Sequence, residues 1–369
     1  MAKKLIYYSP HAVAAAHSAS NPLPGIDKFI KFFKFYNDAN SAIFDRSSTF
    51  RTPVRMKNLF PIPIMRPFKK SLEEVCNDRA RQLLEASEAM SVSLNVMWSG
   101  GIDSTLVLVS LLKNATVSQK KRIVVLLTED SIAENPKFYA THLRGCVKIE
   151  SSDTLPYILG SSNLLVGGEG NDQIFGSGAP HKKLVEDYPP GTIRKPYSRD
   201  LFFELYSRMV QDTQLVNFFL DIHDRLRAAA PIELSTNGDV AWWEKFCTKW
   251  QAVYTRKLTC VAPRNVSLMT HEWITNSYRQ FYMTEEFQLW SMNNLDKRIK
   301  DSWKSYKWPC KDIIYDFTKD AEYRDNKTKW GSLGNVFRQR QTYSFIDESL
   351  QFYTSLDPEE YFEPENNFR

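Results

Sequence analysis

The stretch LNVMWSGGIDST, residues 94–105, predicts a short buried strand, a tight glycine turn and the first turn of a helix. The apolar run at its start suits a strand of a parallel sheet. Gly100 and Gly101 allow backbone N–H groups to approach a ligand closely, and the N-terminus of the following helix faces the same point. The turn therefore predicts a phosphate-binding loop. Hydroxyl groups that add hydrogen-bond donors to it belong to Ser99, Ser104 and Thr105.

Asp103 lies inside this predicted anion site. Phosphate repels a carboxylate unless a cation lies between them, so Asp103 is predicted to bind Mg²⁺. The spacing matches neither the Walker loop G-x-x-x-x-G-K nor the dinucleotide fingerprint G-x-G-x-x-G. The alternative is a plain strand-to-helix turn in which Asp103 caps the helix.

Apolar strands alternate with helical segments on both sides of this loop. A helix is predicted to begin at the capping box formed by Ser71 and Glu74. Such alternation indicates βαβ units, so we expect an α/β fold whose parallel sheet carries helices on both faces. A ligand should then lie at the carboxyl ends of the strands. Strands are predicted over residues 94–98, 123–127, 147–149 and 164–166.

The texture of the sequence predicts four parts. They are an N-terminal extension over residues 1–65, an α/β domain with the phosphate loop over 66–196, a helical lobe over 197–346 and a solvated acidic tail over 347–369. Within the extension, FIKFFKFY at 29–36 predicts a short amphipathic helix. The lobe is predicted from aromatic-rich stretches of helical period at about 199–229, 239–257 and 271–300.

Composition excludes several classes of protein. Lysine and arginine number 48 against 43 aspartate and glutamate residues, an excess too small to indicate a nucleic-acid-binding surface. The five cysteines include no C-x-x-C pair, which argues against a zinc knuckle or a redox pair and favours reduced cysteines in a cytoplasmic protein. No stretch reaches the roughly 18 apolar residues of a membrane helix. We therefore expect a cytoplasmic protein that binds no membrane.

A second glycine turn, LVGGEGNDQIFG at residues 165–176, follows another predicted strand. Its glycines, Gly168 among them, allow a second close approach, and Asp172 supplies a second carboxylate. Two such turns in one parallel sheet predict that Asp103 and Asp172 share Mg²⁺. The alternative is a flexible glycine loop with exposed acids.

The motif SGGIDS resembles the signature of the PP-loop ATP pyrophosphatases. The second turn is similar to the G-E-G-x-D-E-x-F-G turn of the synthetase domain of asparagine synthetases and β-lactam synthetases, although Gln173 replaces the family's glutamate. The resemblance spans about residues 72–333. It implies that ATP and Mg²⁺ are the cofactors and that Ser99 to Thr105, with Gly168, bind ATP. It also implies adenylation of a substrate oxygen, release of pyrophosphate and attack by a nitrogen nucleophile.

Two catalytic residues are implied by further matches to this family. YRDNKTKWGS at 323–332 is similar to its late basic segment, in which Lys327, with Lys329 as the reserve, would stabilise charge on the phosphate. Glu286 lies where the family carries a glutamate before an R-x-P-F stretch, which implies a general base or a substrate-orienting carboxylate. The R-x-P-F stretch itself is absent, and a helix-surface acid is the alternative for Glu286.

Other polar residues follow the second predicted strand. They are predicted either to contact the nucleotide or the substrate, or to cap the next helix. These residues are Thr128, Glu129, Asp130, Glu134 and Asn135.

The resemblance also bears on the nitrogen donor. Glutamine-using asparagine synthetases carry a nucleophilic cysteine after the initiator methionine, whereas Ala2 stands here and Cys76 is the first cysteine. We therefore expect an AMP-forming carbon–nitrogen ligase for a small acid or amide. Its nitrogen would come from ammonia, an amine, the substrate itself or a partner. Two alternatives stay open: a PP-loop enzyme that modifies a nucleobase, a nucleotide or tRNA, and an ATP-binding relative with altered catalysis.

Overall fold

The computed structural model describes residues 3–17, 43–52, 54–176, 178–300, 302–327, 331 and 343–355. In chain order its strands are β1 Leu5–Tyr8, β2 Leu94–Met97, β3 Ile123–Leu127, β4 Lys148–Ser151, β5 Leu164–Gly167, β6 Tyr278–Gln280, β7 Phe345–Asp347 and β8 Phe352–Tyr353.

The helices vary from single turns to more than four turns. In chain order the α-helices are α1 Pro10–His17, α2 Leu72–Ala89, α3 Ile102–Asn114, α4 Val117–Lys120, α5 Glu129–Glu134, α6 Pro136–Phe138, α7 Leu155–Ile158, α8 Asn171–Phe175, α9 Ala179–Glu186, α10 Arg199–Ser207, α11 Thr213–Ala228, α12 Asn237–Thr248, α13 Trp250–Thr255, α14 His271–Ser277, α15 Glu285–Asn293, α16 Trp308–Thr318 and α17 Ala321–Asn326. A π-helical turn covers Tyr139–Leu143, and 3₁₀ turns cover Ser152–Thr154, Thr192–Arg194, Arg256–Cys260, Pro263–Leu268, Leu295–Lys297 and Trp303–Ser305. Among the described residues, no helix has both the length and the apolar character needed to cross a bilayer.

The main sheet has the strand order β4-β3-β2-β5-β6, and all its neighbouring strands are parallel. Every residue of β2, β3 and β5 is buried, as expected for inner strands of a parallel sheet. This confirms the predicted α/β class with a parallel sheet. The capping box of α2 is also confirmed, since the Ser71 and Glu74 side chains each bond the other residue's backbone N–H.

The fifth strand, β6, corrects the predicted helix over residues 271–300. That segment begins as α14, becomes the three-residue strand β6 and resumes as α15 after a turn. Tyr278 and Arg279 pair with Leu165 and Val166 of β5. A strand this short has no period of its own, so only its pairing with β5 defines it. The sheet therefore continues beyond residue 196, into the segment predicted as a helical lobe.

A small antiparallel sheet, in the order β1-β7-β8, joins the two ends of the described chain. Asp347, which was predicted to begin a solvated acidic tail, is instead fully buried. Its carboxylate accepts hydrogen bonds from the backbone N–H groups of Ser349 and Gln351 and from the Tyr353 hydroxyl, at 2.8–3.0 Å. The rest of the predicted tail from residue 356, and the predicted helix at 29–36, lie outside the described residues.

One continuous hydrophobic core connects these parts, from Leu5 in β1 to Ile346 in β7. Arg46 adds a polar link between the N-terminal residues and later helices. Its guanidinium donates to the Gln288 side chain at 2.7 Å and to the Phe246 carbonyl at 3.0 Å. Helix α12 is buried along its whole length, and its Trp242 and Trp243 rings lie 5.4 Å apart. Large aromatic side chains thus fill the space between helices, as the aromatic-rich sequence indicates.

The turn between β2 and α3 depends on glycine at position 100. Gly100 has φ +75°, a left-handed conformation that other residues rarely adopt. A Cβ placed on it would lie 2.5 Å from the Ser131 carbonyl oxygen and 2.7 Å from the Glu134 Cβ. The backbone of the turn therefore packs directly against α5, with no room for a side chain.

We expect Gly100→Ala to lower the free energy of unfolding by about 2–4 kcal/mol, since a left-handed alanine costs about 1 kcal/mol and overpacking about 1–3 kcal/mol. Gly145→Ala is the matched control. Gly145 also has φ +75°, but no atom lies within 4 Å of its Cβ position, so only the backbone cost of about 1 kcal/mol applies. Urea unfolding of both variants measures the difference, and equal losses would contradict the close packing at Gly100.

Candidate active site

The two glycine turns of the sequence meet at one edge of the sheet. Strands β2 and β5 are adjacent and parallel, so both turns leave the sheet at its carboxyl edge. A Cβ placed on Gly168 would lie 3.1 Å from the Ser104 nitrogen and 3.2 Å from the Asp103 carbonyl carbon. The second turn therefore packs on the first turn of α3.

Hydrogen bonds between its own polar groups fix the conformation of the first glycine turn. Gly101 is the N-cap of α3 and has extended backbone. Because it is glycine, no side chain caps this helix. The Ser99 N–H donates to the Ser104 hydroxyl at 3.0 Å, and the Gly101 N–H donates to the Ser99 hydroxyl at 3.2 Å. The N-terminus of α3 carries partial positive charge and suits an anion.

Thr105 does not have the ligand-binding position that the sequence predicted. Its side chain is fully buried, and its hydroxyl accepts the Trp98 indole N–H at 3.0 Å and contacts the Tyr323 hydroxyl at 3.2 Å. Its backbone N–H donates to the Gly101 carbonyl, as the helix requires. Thr105 therefore supports the loop from inside.

Asp103 and Asp172 meet at a single cation, Lys307. The lysine Nζ lies 2.6 Å from Oδ1 of each aspartate. The lysine side chain is only 4% exposed, whereas Asp103 and Asp172 keep 31% and 47% of theirs exposed. Asn171 donates to Asp103 at 2.7 Å, and the Tyr306 hydroxyl donates to Asp172 at 3.3 Å. Two carboxylates, one buried ammonium group and a helix N-terminus thus share one place.

The charges in this group affect one another. Burial opposes the charge of Lys307, but Asp103 and Asp172 outweigh it and raise the lysine pKa well above its usual value. Burial also raises the pKa of Asp103, with Asp172 adding to this effect and Lys307 opposing it. The lysine is therefore a permanent cation at neutral pH, and its charge keeps the carboxylates together.

Sequence reasoning missed Lys307, and its unusual backbone is visible only in the structure. The residue is the N-cap of α16 and has φ +59°. Both features are unusual for lysine, because a helix N-terminus disfavours a cation and the left-handed region favours glycine or asparagine. Its backbone N–H donates to the Arg298 carbonyl at 3.0 Å, which fixes the turn.

The two aspartates fit a magnesium site of the shared kind. Mg²⁺ in phosphate-transfer sites takes one or two carboxylates and completes its shell with phosphate oxygens and water. Within the described residues, no group of three or more histidine, cysteine or acidic side chains could hold a metal by itself.

Lys327 pairs with a different acidic side chain near the first glycine turn, Glu134. Its Nζ donates to Glu134 Oε1 at 2.5 Å, and the pair is buried, with 8% and 3% of the two side chains exposed. Glu134 packs against Gly100, so Lys327 lies close to the first glycine turn, and among the described contacts none joins it to Asp103 or Asp172. Lys329, the reserve candidate, lies outside the described residues.

Two of the polar residues that follow β3, Thr128 and Asn135, act as helix caps. The Thr128 side chain caps α5 together with Ser131, and Asn135 caps α6 by accepting the Phe138 N–H at 3.2 Å. Glu129 and Asp130 are exposed in the first turn of α5. The capping alternative thus accounts for Thr128 and Asn135.

Glu286 lies in an exposed ion pair. It is in the first turn of α15, and its Oε1 is 2.6 Å from the Nζ of Lys70, which also pairs with Asp78. Its side chain is 36% exposed. Among the described contacts none links Glu286 to Asp103 or Asp172, so its position matches the alternative of a helix-surface acid.

The second glycine turn is fixed by ion pairs of Glu169, which the sequence did not predict. Glu169 lies 2.6 Å from Arg256 Nη2 and 3.0 Å from Lys257 Nζ. Burial opposes ionisation of Glu169, but these two cations outweigh it and hold its pKa below the usual value. Lys257 is only 3% exposed, so the pair fixes the turn to the 3₁₀ segment that follows α13.

Comparison with protein-family models and with curated protein sequences finds no match to this chain. The chemistry of the site therefore has to be inferred from its residues. Backbone N–H groups and a lysine bind phosphate oxygens, and paired carboxylates bind a divalent cation. The set as a whole suits a polyphosphate with its metal ion.

We expect Glu169→Gln to lower the free energy of unfolding by about 2–4 kcal/mol at pH 7, because Lys257 then stays buried without the carboxylate that balances its charge. The loss should shrink in acid. A depressed pKa in the folded chain contributes stability above the usual pKa of 4.5, and this contribution disappears as pH falls through the lower folded value.

Urea unfolding at pH 7 and pH 3 tests this expectation, because pH 3 is well below the usual pKa of 4.5. Glu73→Gln is the control, since Glu73 pairs with Lys113 where both side chains are more than 40% exposed. It should cost less than about 1 kcal/mol at either pH. A Glu169→Gln loss that is the same at both pH values would show that the charge of Glu169 is not what stabilises the turn.

Proposed function

We propose that this protein is an Mg²⁺-dependent ligase that converts ATP into AMP and pyrophosphate. It would adenylate a carboxylate or amide oxygen of a small molecule, and a nitrogen nucleophile would then displace AMP. The observation that carries this proposal is the convergence of Asp103, Asp172 and Lys307 at the N-terminus of α3. The resemblance of SGGIDS and GEGNDQIFG to the PP-loop synthetases agrees with it.

The loop would hold the pyrophosphate part of ATP. The uncapped first turn of α3 offers backbone N–H groups, and Ser99 and Ser104 offer hydroxyls beside them. Glycine at positions 100, 101 and 168 lets the two turns and their neighbours pack closely around this point. Donors fixed in advance stabilise the charge of a departing pyrophosphate without reorganisation.

Asp103 and Asp172 would hold Mg²⁺, which neutralises charge on the pyrophosphate. Lys307 then takes the catalytic role that the sequence assigned to Lys327. Its ammonium group is held between the carboxylates and stays protonated, so it can stabilise the negative charge that builds on the α-phosphate. Glu286 has no part in this scheme because its carboxylate is paired with Lys70 at the surface.

The acceptor would bind beside the phosphate loop, over the ends of β5 and β6. Ligands of open α/β sheets occupy the carboxyl ends of the strands. Tyr282 follows β6, and its hydroxyl donates to the Asp103 carbonyl at 2.9 Å, so this region adjoins the loop.

The nitrogen donor would come from solution, the substrate or a partner. A reducing cytoplasm suits the chain, since no disulfide joins any of the cysteines in the described residues.

Incubation with α-labelled ATP, Mg²⁺, ammonia and a panel of acids and amides should yield AMP and pyrophosphate. Asp103→Asn and Asp172→Asn should each lower the rate by about 100-fold or more, because charge stabilisation by one preorganised group is worth that much. Asp221→Asn, at an exposed acid of α11, is the control and should keep full activity. Formation of ADP and phosphate would refute the proposed reaction.

Lys307→Met and Lys327→Met separate the two lysine assignments. Lys307→Met should lower the single-turnover rate of AMP formation by about 1,000-fold, because its charge acts in the transition state. Lys327→Met should retain most of that rate at saturating ATP. The reverse order of effects would return the catalytic role to Lys327. Exchange of labelled pyrophosphate into ATP offers a second readout, and ATP binding without exchange for any substrate would favour an ATP-binding relative with altered catalysis.

A further inference from the structure

Arg298 accepts the backbone N–H of Lys307 with its carbonyl, and its side chain is anchored on α12. This side chain is only 4% exposed, and its Nη1 lies 3.1 Å from Oδ1 of Asp239 in the first turn of α12. Its guanidinium carbon lies 3.8 Å from the centre of the Trp242 ring. A cation over an indole ring is attracted more strongly where water is excluded. Both contacts therefore fix Arg298 to α12.

The same tryptophan also holds the helix that carries Asp172. Trp242 is fully buried, and its indole N–H donates to the carbonyls of Gln173 at 3.0 Å and Ile174 at 3.1 Å. Both carbonyls belong to α8 and directly follow Asp172 in the chain. Trp242 therefore contacts Arg298 with the face of its ring and α8 with the edge.

These contacts form a closed path that includes the ion pair of Lys307 and Asp172. The path runs from α8 to the Trp242 indole, and from the face of that ring to the Arg298 guanidinium. It continues from the Arg298 carbonyl to the backbone of Lys307, whose Nζ lies 2.6 Å from Oδ1 of Asp172. The position of the ammonium group relative to this carboxylate thus depends on how Arg298 packs on Trp242.

Stability alone does not account for an arginine at this buried position. Among the described residues, Nε and Nη2 of Arg298 have no hydrogen-bond partner. Burial lowers the pKa of the Arg298 guanidinium to about 10, with Asp239 opposing this effect, so the side chain is still charged at neutral pH. Unpartnered buried N–H groups are costly, and replacing a buried ion pair by well-packed apolar side chains is often neutral or stabilising. The position therefore calls for a role other than stability.

We propose that Arg298 is a positioning residue whose packing on Trp242 sets the place of the Lys307 ammonium group beside Asp172. This inference rests on the proposed function, in which Lys307 stabilises charge on the α-phosphate. The left-handed backbone of Lys307, at φ +59°, is unfavourable for a lysine, and the bond from its N–H to the Arg298 carbonyl holds it there. Arg298 acts through Lys307 and takes no part in the chemical step itself.

Single-turnover AMP formation and ATP affinity, measured on the full chain, test this role. Arg298→Met should lower the single-turnover rate by about 100-fold, because a misplacement of about 1 Å in a catalytic group costs that much. It should leave ATP affinity nearly unchanged, since the displaced ammonium group acts in the transition state.

Arg298→Lys is the milder second variant. It keeps a positive charge opposite Asp239 but replaces the planar guanidinium by a compact ammonium group that cannot stack on Trp242 in the same way. It should therefore also lower the single-turnover rate. If Arg298→Met does not fold, as urea unfolding will show, Arg298→Lys decides alone, and a rate equal to that of the wild type in this variant overturns the proposal.

Arg46→Met is the matched control. Arg46 is also a buried arginine, 3% exposed, and its guanidinium carbon lies 4.6 Å from the ring centres of Phe246 and Trp250. Among the described contacts none joins Arg46 to Lys307. Arg46→Met should lower the free energy of unfolding but leave the single-turnover rate unchanged. Equal losses of rate in Arg46→Met and Arg298→Met would show that Arg298 serves stability alone.

Chemical labelling of lysines separates this inference from the proposed function, because labelling needs no turnover. Acetic anhydride reacts with accessible amines, so Lys307, with 4% of its side chain exposed, should react more slowly than the exposed Lys304. Peptide mass spectrometry should show faster labelling of Lys307 in Arg298→Met than in the wild type, and unchanged labelling in Arg46→Met.

The two readouts have distinguishable failures. Faster labelling of Lys307 in Arg298→Met, in a chain that forms no AMP from ATP with any acceptor, would keep the positioning of Lys307 by Arg298 and overturn the proposed function. Unchanged labelling of Lys307 in Arg298→Met, in a chain that does form AMP, would overturn the role of Arg298 and keep the proposed function.

Discussion

The direct contact between the two glycine turns is the constraint on which the site depends. Gly168 packs against the first turn of α3 so closely that a Cβ on it would lie 3.1 Å from the Ser104 nitrogen. The contact is possible because β2 and β5 are adjacent parallel strands that end at the same edge. It brings Asp103, just after the first turn, and Asp172, just after the second, to one lysine. A side chain at Gly168 would push against the backbone of Asp103 and Ser104.

The later part of the chain supports both turns with three tyrosines, of which Tyr282 and Tyr323 are buried and Tyr306 is half-buried. Tyr282 donates to the Asp103 carbonyl at 2.9 Å, Tyr323 to the Gly100 carbonyl at 2.8 Å and Tyr306 to the Asp172 carboxylate at 3.3 Å. Burial raises the pKa of each hydroxyl well above its usual value, so all three remain neutral donors. Elements that follow the sheet's first four strands therefore fix the loop geometry, and the site is distributed over most of the described chain.

The balance of charge explains why two lysines at one loop differ in their surroundings. Lys307 faces two carboxylates that are partly exposed, so the group of three side chains carries one net negative charge. Lys327 faces one buried carboxylate, and the pair is neutral. The first group therefore keeps carboxylate oxygens open to solvent, whereas the second is a closed ion pair.

Local patterns were sufficient for much of the fold. Apolar runs at 123–127 and 164–166 and the capping box at Ser71 predicted elements that the structure contains, because burial and caps act over a few neighbouring residues. The glycines of both turns could also be recognised from the sequence, because a turn whose backbone packs closely against its neighbours requires glycine at that position. The three-residue strand β6 was missed because its identity comes from pairing with β5.

The sequence by itself determined the parallel βαβ frame, its glycine turns and the two aspartates that follow them. Only the tertiary structure decided which cation those aspartates meet, since Lys307 lies 204 residues from Asp103 and belongs to no local motif. It also decided that Lys327 pairs with Glu134, that Glu286 faces Lys70 and that β1 pairs with β7. Such pairings depend on distances between elements remote in the chain, which a pattern of adjacent residues does not record.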